Sequence, residues 1–313
     1  MGSNVRIGDF SVEGNIRTDT LEFHYGLHIR ADDTTGDLSN IVVGNVRGAN
    51  LRGDVVCIDN RDGGFVSGVR IGHVHGTNIL RNVVSIVGGR ELHIERITGS
   101  GIGYTHFDIE PEHFNGPVVG CTVGSIYGGF VQVAGSTPHA YADQVRIGLL
   151  DLSSPTTRSV PVYPPGLGRK DALTIRNLRS LEIGHLIARN FEGRAIYQIW
   201  NPGALTDQRL HISVAELSNC ARDPRLGNAF ITGSRFATRL RIDSLMVDRI
   251  RAGVSVVRDC KDARIGHLRK ALPKGNRLVS DSGPELDKLL YLAGGGAVAL
   301  GACRMIRNFR ATA

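Results

Sequence analysis

Ile71-Gly72-His73-Val74, then Val83-Val84-Ser85-Ile86-Val87, then Ile94-Glu95-Arg96-Ile97: this stretch decides the fold. A four-residue phrase (aliphatic, Gly or small, polar, aliphatic) returns after 23 residues, degenerate in its second copy, with a short alternating segment between. Upstream the phrase reads Ile7-Gly8-Asp9-Phe10 and Val43-Gly44-Asn45-Val46. Downstream it reads Val123-Gly124-Ser125-Ile126, Ile147-Gly148-Leu149-Leu150 and Ile183-Gly184-His185-Leu186. Val214-Ala215-Glu216-Leu217, Ile242-Asp243-Ser244-Leu245 and Ile265-Gly266-His267-Leu268 complete ten copies. The nine intervals are 36, 28, 23, 29, 24, 36, 31, 28 and 23 residues, so a unit of 23 to 24 residues carries insertions.

The alternating segment also recurs, as Val55-Val56-Cys57-Ile58-Asp59, Phe107-Asp108-Ile109-Glu110, Val131-Gln132-Val133 and Leu173-Thr174-Ile175. Tyr197-Gln198-Ile199, Phe230-Ile231-Thr232 and Val254-Ser255-Val256 continue it. Each unit therefore holds at least two short period-two strands parted by Gly, Asn or Asp turns. No convincing 3.6-residue stripe occurs before residue 284. One such unit cannot bury its inward aliphatics alone, but a stack of them can. The expected fold is all-β, a right-handed parallel β-helix of about ten coils over residues 1–283, with a C-terminal cap or tail at 284–313. Leucine-rich repeats are excluded by the missing L-x-x-L-x-L spacing, and a propeller by the short period.

Composition agrees. Glycine supplies 40 of 313 residues without a collagen period, and aromatics are 6%. Many tight turns follow, and a helical bundle does not. The net charge is +7, with 32 Arg against five Lys. That balance suits an acidic partner, although scattered arginines also follow from coding bias. Cys57, Cys121, Cys220, Cys260 and Cys303 form no C-x-x-C pair and read as buried free thiols. Met1-Gly2-Ser3 reads as an appended start with no signal peptide behind it. Leu289–Cys303 is uncharged but shorter than the ~20 residues of a membrane span, and reads as a packing segment.

The ladder phrases, with Phe107-Asp108-Ile109-Glu110-Pro111 in a turn-rich coil, resemble the right-handed parallel β-helix proteins of the pectate-lyase-like superfamily. The resemblance covers roughly residues 5–280. It implies a polysaccharide lyase, a polygalacturonase-type hydrolase or a tailspike depolymerase, secreted, at a cell surface or on a virion. The usual N-terminal capping segment is missing, which implies a truncated domain. The paired-Asp and Gly-His-Gly motifs of polygalacturonases and the calcium-site motifs of pectate lyases are also missing. No catalytic residue carries over by motif.

The site is therefore read from the strand pattern. Alternation places Cys57, Ser85, Asp108, Gln132, Thr174, Gln198 and Ser255 in one outward column, flanked by Asp59, Glu110, Arg176 and Trp200. Asp59 and Glu110, two coils apart, are expected ~9.6 Å from one another, and Asp108 and Glu110 ~6.5–7 Å. Inverting glycosidases hold their carboxyls about 6.5–9.5 Å apart. The expected catalytic set is Asp108, Glu110, Asp59 and His106. Tyr104, Gln132, Lys170, Arg176, Gln198 and Trp200 are the expected substrate contacts. Trp200 offers a flat face for a sugar ring, and the Pro-Gly insertion Ser153–Lys170 a groove wall.

No cofactor or metal is expected. Calcium at Asp32-Asp33 or Asp59–Asp62 is the one alternative, since oxygen ligands suit it, but no ligand loop is recognisable. The partner expected is a polysaccharide, not nucleic acid and not a membrane. Homo-oligomerisation stays open. Hydrolysis leads because the carboxylates are the best-organised feature. β-Elimination of a uronic-acid polymer and non-catalytic binding are the alternatives.

Overall fold

The computed structural model describes residues 4–16, 24–154, 171–199, 205–225, 229–234 and 237–280. Every element among them is a strand, and the strands form two large sheets whose pairings are all parallel. This arrangement is compatible with a parallel β-helix. The longer-stranded sheet stacks Val5–Ile7, Leu38–Val43, Val66–Ile79, Gly89–Ile102, Val118–Gly128, Val145–Ser153, Ser180–Arg189, Gln208–Ser218, Thr238–Asp248 and Asp262–Leu268 in that order. Phe10–Glu13, Val46–Ala49 and Ala142–Asp143 pair alongside. The shorter-stranded sheet stacks Leu27–Ala31, Val56–Asn60, Val84–Ile86, Phe107–Ile109, Val131–Ala134, Leu173–Arg176, Ile196–Gln198, Ala229–Thr232, Ser255–Arg258 and Arg277–Ser280.

The four-residue phrase is a corner inside the longer strands. Ile71 and Val74 are both buried although three residues apart, as are Ile94 and Ile97, Val123 and Ile126, and Ile183 and Leu186. Strict alternation would bury residues two apart. The extra residue bends each strand, so its two halves each send a row of aliphatics inward. The rows stack in register: Ile7 on Val43, Ile71, Ile94, Val123, Ile147 and Ile183. Strands ~4.8 Å apart bring such side chains into contact along the stack.

Glycine at the second phrase position follows from that stacking. A Cβ on Gly148 would lie 2.5 Å from the Gly124 carbonyl oxygen, and one on Gly184 2.6 Å from that of Gly148. A second corner, at the end of the long strands, uses asparagine in the left-handed region: Asn50, Asn78, Asn190 and Asn219, with φ of 52–65°. Asn tolerates this conformation better than most residues. Its amide also reaches its neighbour in the stack, as Asn219 Nδ2 to Asn190 Oδ1 at 2.9 Å and Asn78 Nδ2 to Asn50 Oδ1 at 3.3 Å.

Three expected positions are corrected. Ile212, not Val214, stacks between Ile183 and Ile242. Ala215 then takes the second aliphatic place beside Leu186, and its small side chain diverted the pattern to Leu217. In the shorter sheet Tyr197, not Gln198, continues the column above Thr174, because Ile196 stacks on Leu173. Arg258, not Ser255, continues it above Thr232. A one-residue slip leaves alternation intact and exchanges the faces. The Leu289–Cys303 segment, the tail 284–313 and Cys303 lie outside the described residues. The other four cysteines are free thiols, three of them buried.

Gly148→Ala is expected to cost about 1–3 kcal/mol, because the carbonyl it meets is backbone and cannot swing aside. Gly8→Ala, where a Cβ meets nothing within 4 Å, should stay within about 0.5 kcal/mol of the parent. Urea midpoints of the two variants check this, and equal losses would remove the carbonyl contact as the reason for glycine.

Candidate functional site

Three successive shorter strands are entered by a turn with a polar residue two places before the paired run. Asp54 precedes Val56, Asn82 precedes Val84, and Thr105 precedes Phe107. All three are fully buried. Asp54 Oδ1 accepts the Asn82 N–H at 3.0 Å, and Asn82 Oδ1 accepts the Thr105 N–H at 3.2 Å and the Thr105 hydroxyl at 2.7 Å. Asp171 serves Arg194 in the same way, at 2.6 Å. Each turn's orphan N–H is thus met by the side chain of the coil before it.

Asp54 differs from its ladder neighbours by its charge. Its Oδ2 is buried without a hydrogen-bond partner among the described residues. Complete burial pushes the carboxyl up to about 6, against the pull of the Arg81 guanidinium and the Asn82 bonds. Arg81 Nε stands 3.8 Å from Oδ1. The same burial raises the neighbouring Tyr25 hydroxyl and the Cys57 thiol well above their usual ranges. That leaves Cys57 without thiolate character.

Asp54 lies at one side of an open cleft of about 520 Å³. Four carboxyls line it: Asp54, Asp59, Glu110 and Glu112. His28, Arg30, Arg61 and Arg81 face them, with Tyr25, Phe114 and Asn115 completing the wall. Asn115 Nδ2 donates to Asp59 Oδ1 at 2.8 Å and also to the Asn60 carbonyl. His28 Nε2 is 3.8 Å from Asp59 Oδ2, and the His28 ring packs on Tyr25 at 4.6 Å. Arg176 Nη2 stands 3.6 Å from Glu110 Oε1, while its Nε donates to the Gly135 carbonyl at 3.0 Å. Arg61 lies over the Phe114 ring, 5.6 Å from its centre.

Of the expected residues, Asp59 and Glu110 meet in this cleft, and Arg176 reaches it through Glu110. In register they are two strands apart, since Ile58 and Ile109 both pair with Ile86. Asp108 and Gln132 do stack in one column, between Ser85 and Thr174. Neither Asp108 nor Gln132 lines the cleft, and Asp108 is only 1% exposed. Gln198 faces inward and accepts the Thr238 hydroxyl. Tyr104 is half-buried outside the cleft lining. Trp200, Lys170 and the Pro-Gly insertion from Pro155 onward lie outside the described residues.

His106 is buried, away from the cleft. Its Nδ1 accepts the Gly129 N–H at 3.1 Å, so its Nε2 carries the proton and donates to the Gly99 carbonyl at 3.3 Å. A Cβ on Gly128 would fall 2.2 Å from the ring, so the ring packs against bare backbone. Asp32 caps its own turn, with Oδ1 accepting from the Thr34 and Thr35 backbone and hydroxyls. Among the described residues no group of three or more His, Cys, Asp or Glu is placed to hold a metal ion. No helix among them is long and apolar enough to cross a membrane. No protein-family model, curated protein or solved structure matches this chain.

Sequence reading missed Asp54, Arg81, Tyr25 and Asn115. The signal for Asp54 was its fixed place before the apolar run, shared with Asn82 and Thr105.

Burial lowers the His106 pKa from 6.5 to about 4. Between these values the unfolded chain binds the extra proton, so stability is expected to fall as pH drops from about 6.5 toward 4, by up to roughly 3 kcal/mol. Urea midpoints at the two ends of this range, for the parent and His106→Gln, test it. The variant should lose less on acidification, and an equal loss would place the effect elsewhere.

Proposed function

We propose that the protein is a right-handed parallel β-helix of the pectate-lyase-like type that hydrolyses glycosidic bonds in an extended, acidic polysaccharide. One observation carries the reading: a buried carboxyl with an unpartnered oxygen, Asp54, lines the same open cleft as Asp59 and Glu110. Glycoside hydrolysis needs two carboxyls in opposite states. A carboxyl shut away from water suits the protonated role, and one facing a cation suits the ionised role.

Asp54 is then the acid. It gives its proton to the glycosidic oxygen as the bond to the anomeric carbon breaks and the electron pair leaves with that oxygen. Water attacks the anomeric carbon and passes its proton to a carboxylate, Glu110 or Asp59. Glu110 and Asp59 stand two strand spacings apart along the stack, about 9.6 Å, so each would hold the attacking water at a different place in the cleft. Arg30 and Arg61 on the cleft wall suit the carboxylates of a uronic-acid chain. These guanidiniums also support the second reading, β-elimination, in which a cation neutralises the uronate before the C5 proton is removed.

The test is incubation with neutral and acidic polysaccharides, following reducing ends and the ultraviolet absorbance of an unsaturated product. Reducing ends alone support hydrolysis, the absorbance would move the assignment to elimination, and neither would leave a binding protein. Asp54→Asn keeps the Oδ1 acceptor for Asn82 and removes only the proton. It is expected to lose roughly a hundred- to ten-thousand-fold in kcat. The parent rate should fall as pH rises through about 6, where Asp54 ionises. Full activity in Asp54→Asn would overturn its assignment, and full activity in the Glu110→Gln, Asp59→Asn double variant that of the base.

A further inference from the structure

The outer face of the longer-stranded sheet carries an ordered row of cations. The residue just before each corner phrase points outward, and the register places ten such residues in one column from Arg6 to Arg264. Five are arginines: Arg6, Arg70, Arg146, Arg241 and Arg264. Two are histidines, and one, Glu182, is acidic. All five arginines are exposed. Neighbouring positions are one strand apart, ~4.8 Å, so the row runs about 43 Å along the stack.

Arg241 and Arg264 stand on neighbouring strands, where like charges repel; the other three arginines are two or more strands apart. Within the described residues the repulsion is relieved only in part. Arg146 pairs with Glu182 at 3.2 Å, Arg241 with Asp243 at 2.7 Å, and Arg264 with Asp262 at 3.3 Å. Their side chains remain about two-thirds exposed, at 65%, 66% and 68%. Exposed pairs of this kind are worth at most about 1 kcal/mol and yield to a competing anion. Arg6 and Arg70 have no ion pair among the described residues.

We propose that this row is a docking strip for an extended anionic polysaccharide lying along the stack. An extended sugar chain advances about one ring per strand spacing, so a chain with one acid group per ring keeps step with the row and brings an acid group to each of the five arginines, the positions between being Val42, His93, Thr122, Glu182 and His211. Duplex DNA fits worse: it carries a charge every ~1.7 Å of axis and is curved in section, whereas the row is straight and one residue wide. The strip is on a different sheet from the cleft and does not rest on the hydrolytic reading. It stands equally for a protein that only binds.

The test is binding to polygalacturonate, heparin, neutral dextran and duplex DNA by calorimetry across a salt series. Binding to polygalacturonate or heparin, weakening with salt, and none to dextran are expected. The Arg70→Gln, Arg146→Gln, Arg241→Gln triple variant should bind roughly tenfold or more weakly, with a shallower salt dependence. Arg225→Gln, off the row at an 86% exposed side chain, should bind as the parent does. The carboxylate and sulfate polymers distinguish which acid group the row prefers. Unchanged binding in the triple variant, equal loss in the Arg225 control, or tighter binding to DNA than to either acidic polysaccharide would overturn the proposal. Thermal melts of the variants, expected to match the parent, separate lost binding from lost fold.

Discussion

Everything in this chain depends on parallel strands holding register from one coil to the next. Each strand hydrogen-bonds the equivalent strand on either side, so whatever stands at one position is repeated ~4.8 Å away. A residue is therefore judged against the residues above and below it more than against its sequence neighbours. Ile71 is stable where it is because Val43 and Ile94 flank it. Gly148 is glycine because the Gly124 carbonyl stands where its Cβ would be. The bulky core residues obey the same rule: Phe130 packs edge-on against Phe191, at 5.7 Å, beside the small Ala172 and Ala195.

Repetition also sorts polar groups. The turns at Asp54, Asn82 and Thr105 are buried, and their backbone N–H groups need acceptors. Asn82 meets that need with a neutral side chain, and Asp54 meets it with a carboxyl at the same position. One oxygen does the structural work and the other is left over, in an environment that disfavours its charge. A position built for stability thereby sets a carboxyl whose charge is disfavoured at the side of a cleft. Asp54→Asn is informative for this reason, since it separates the two uses of one side chain.

Most of the sheet structure was legible because strands stacked in parallel register write their period into the chain. The corner phrase identified nine of the ten stacked positions, and the alternating segments identified both sheets' composition in outline. The failures have one cause. At Val214 and at Gln198 the pattern matched equally well two residues or one residue away, and only the partner strands decide between them. The site was half legible. Asp59 and Glu110 follow from alternation plus stacking, and they do share a cleft. Asp108 does not, because alternation says which way a side chain points and not whether anything covers it. Asp54, Tyr25 and Arg81 sit in turns, where no alternation exists to place them.

The excess of arginine takes on meaning in the same frame. Scattered through the sequence, the arginines form no basic run and look like composition. Register gathers five of them into a single row, because the residue before each corner is outward in every coil. A weak preference at one repeat position thus gathers cations along a line, with no two of the contributing residues closer than 23 apart in the chain. Neighbouring acids such as Asp243 and Asp262 keep that line tolerable for the free protein at little cost in its availability. A repeat fold concentrates charge in this way without any local signature, so a polyanion surface on it must be sought in columns and not in windows of sequence.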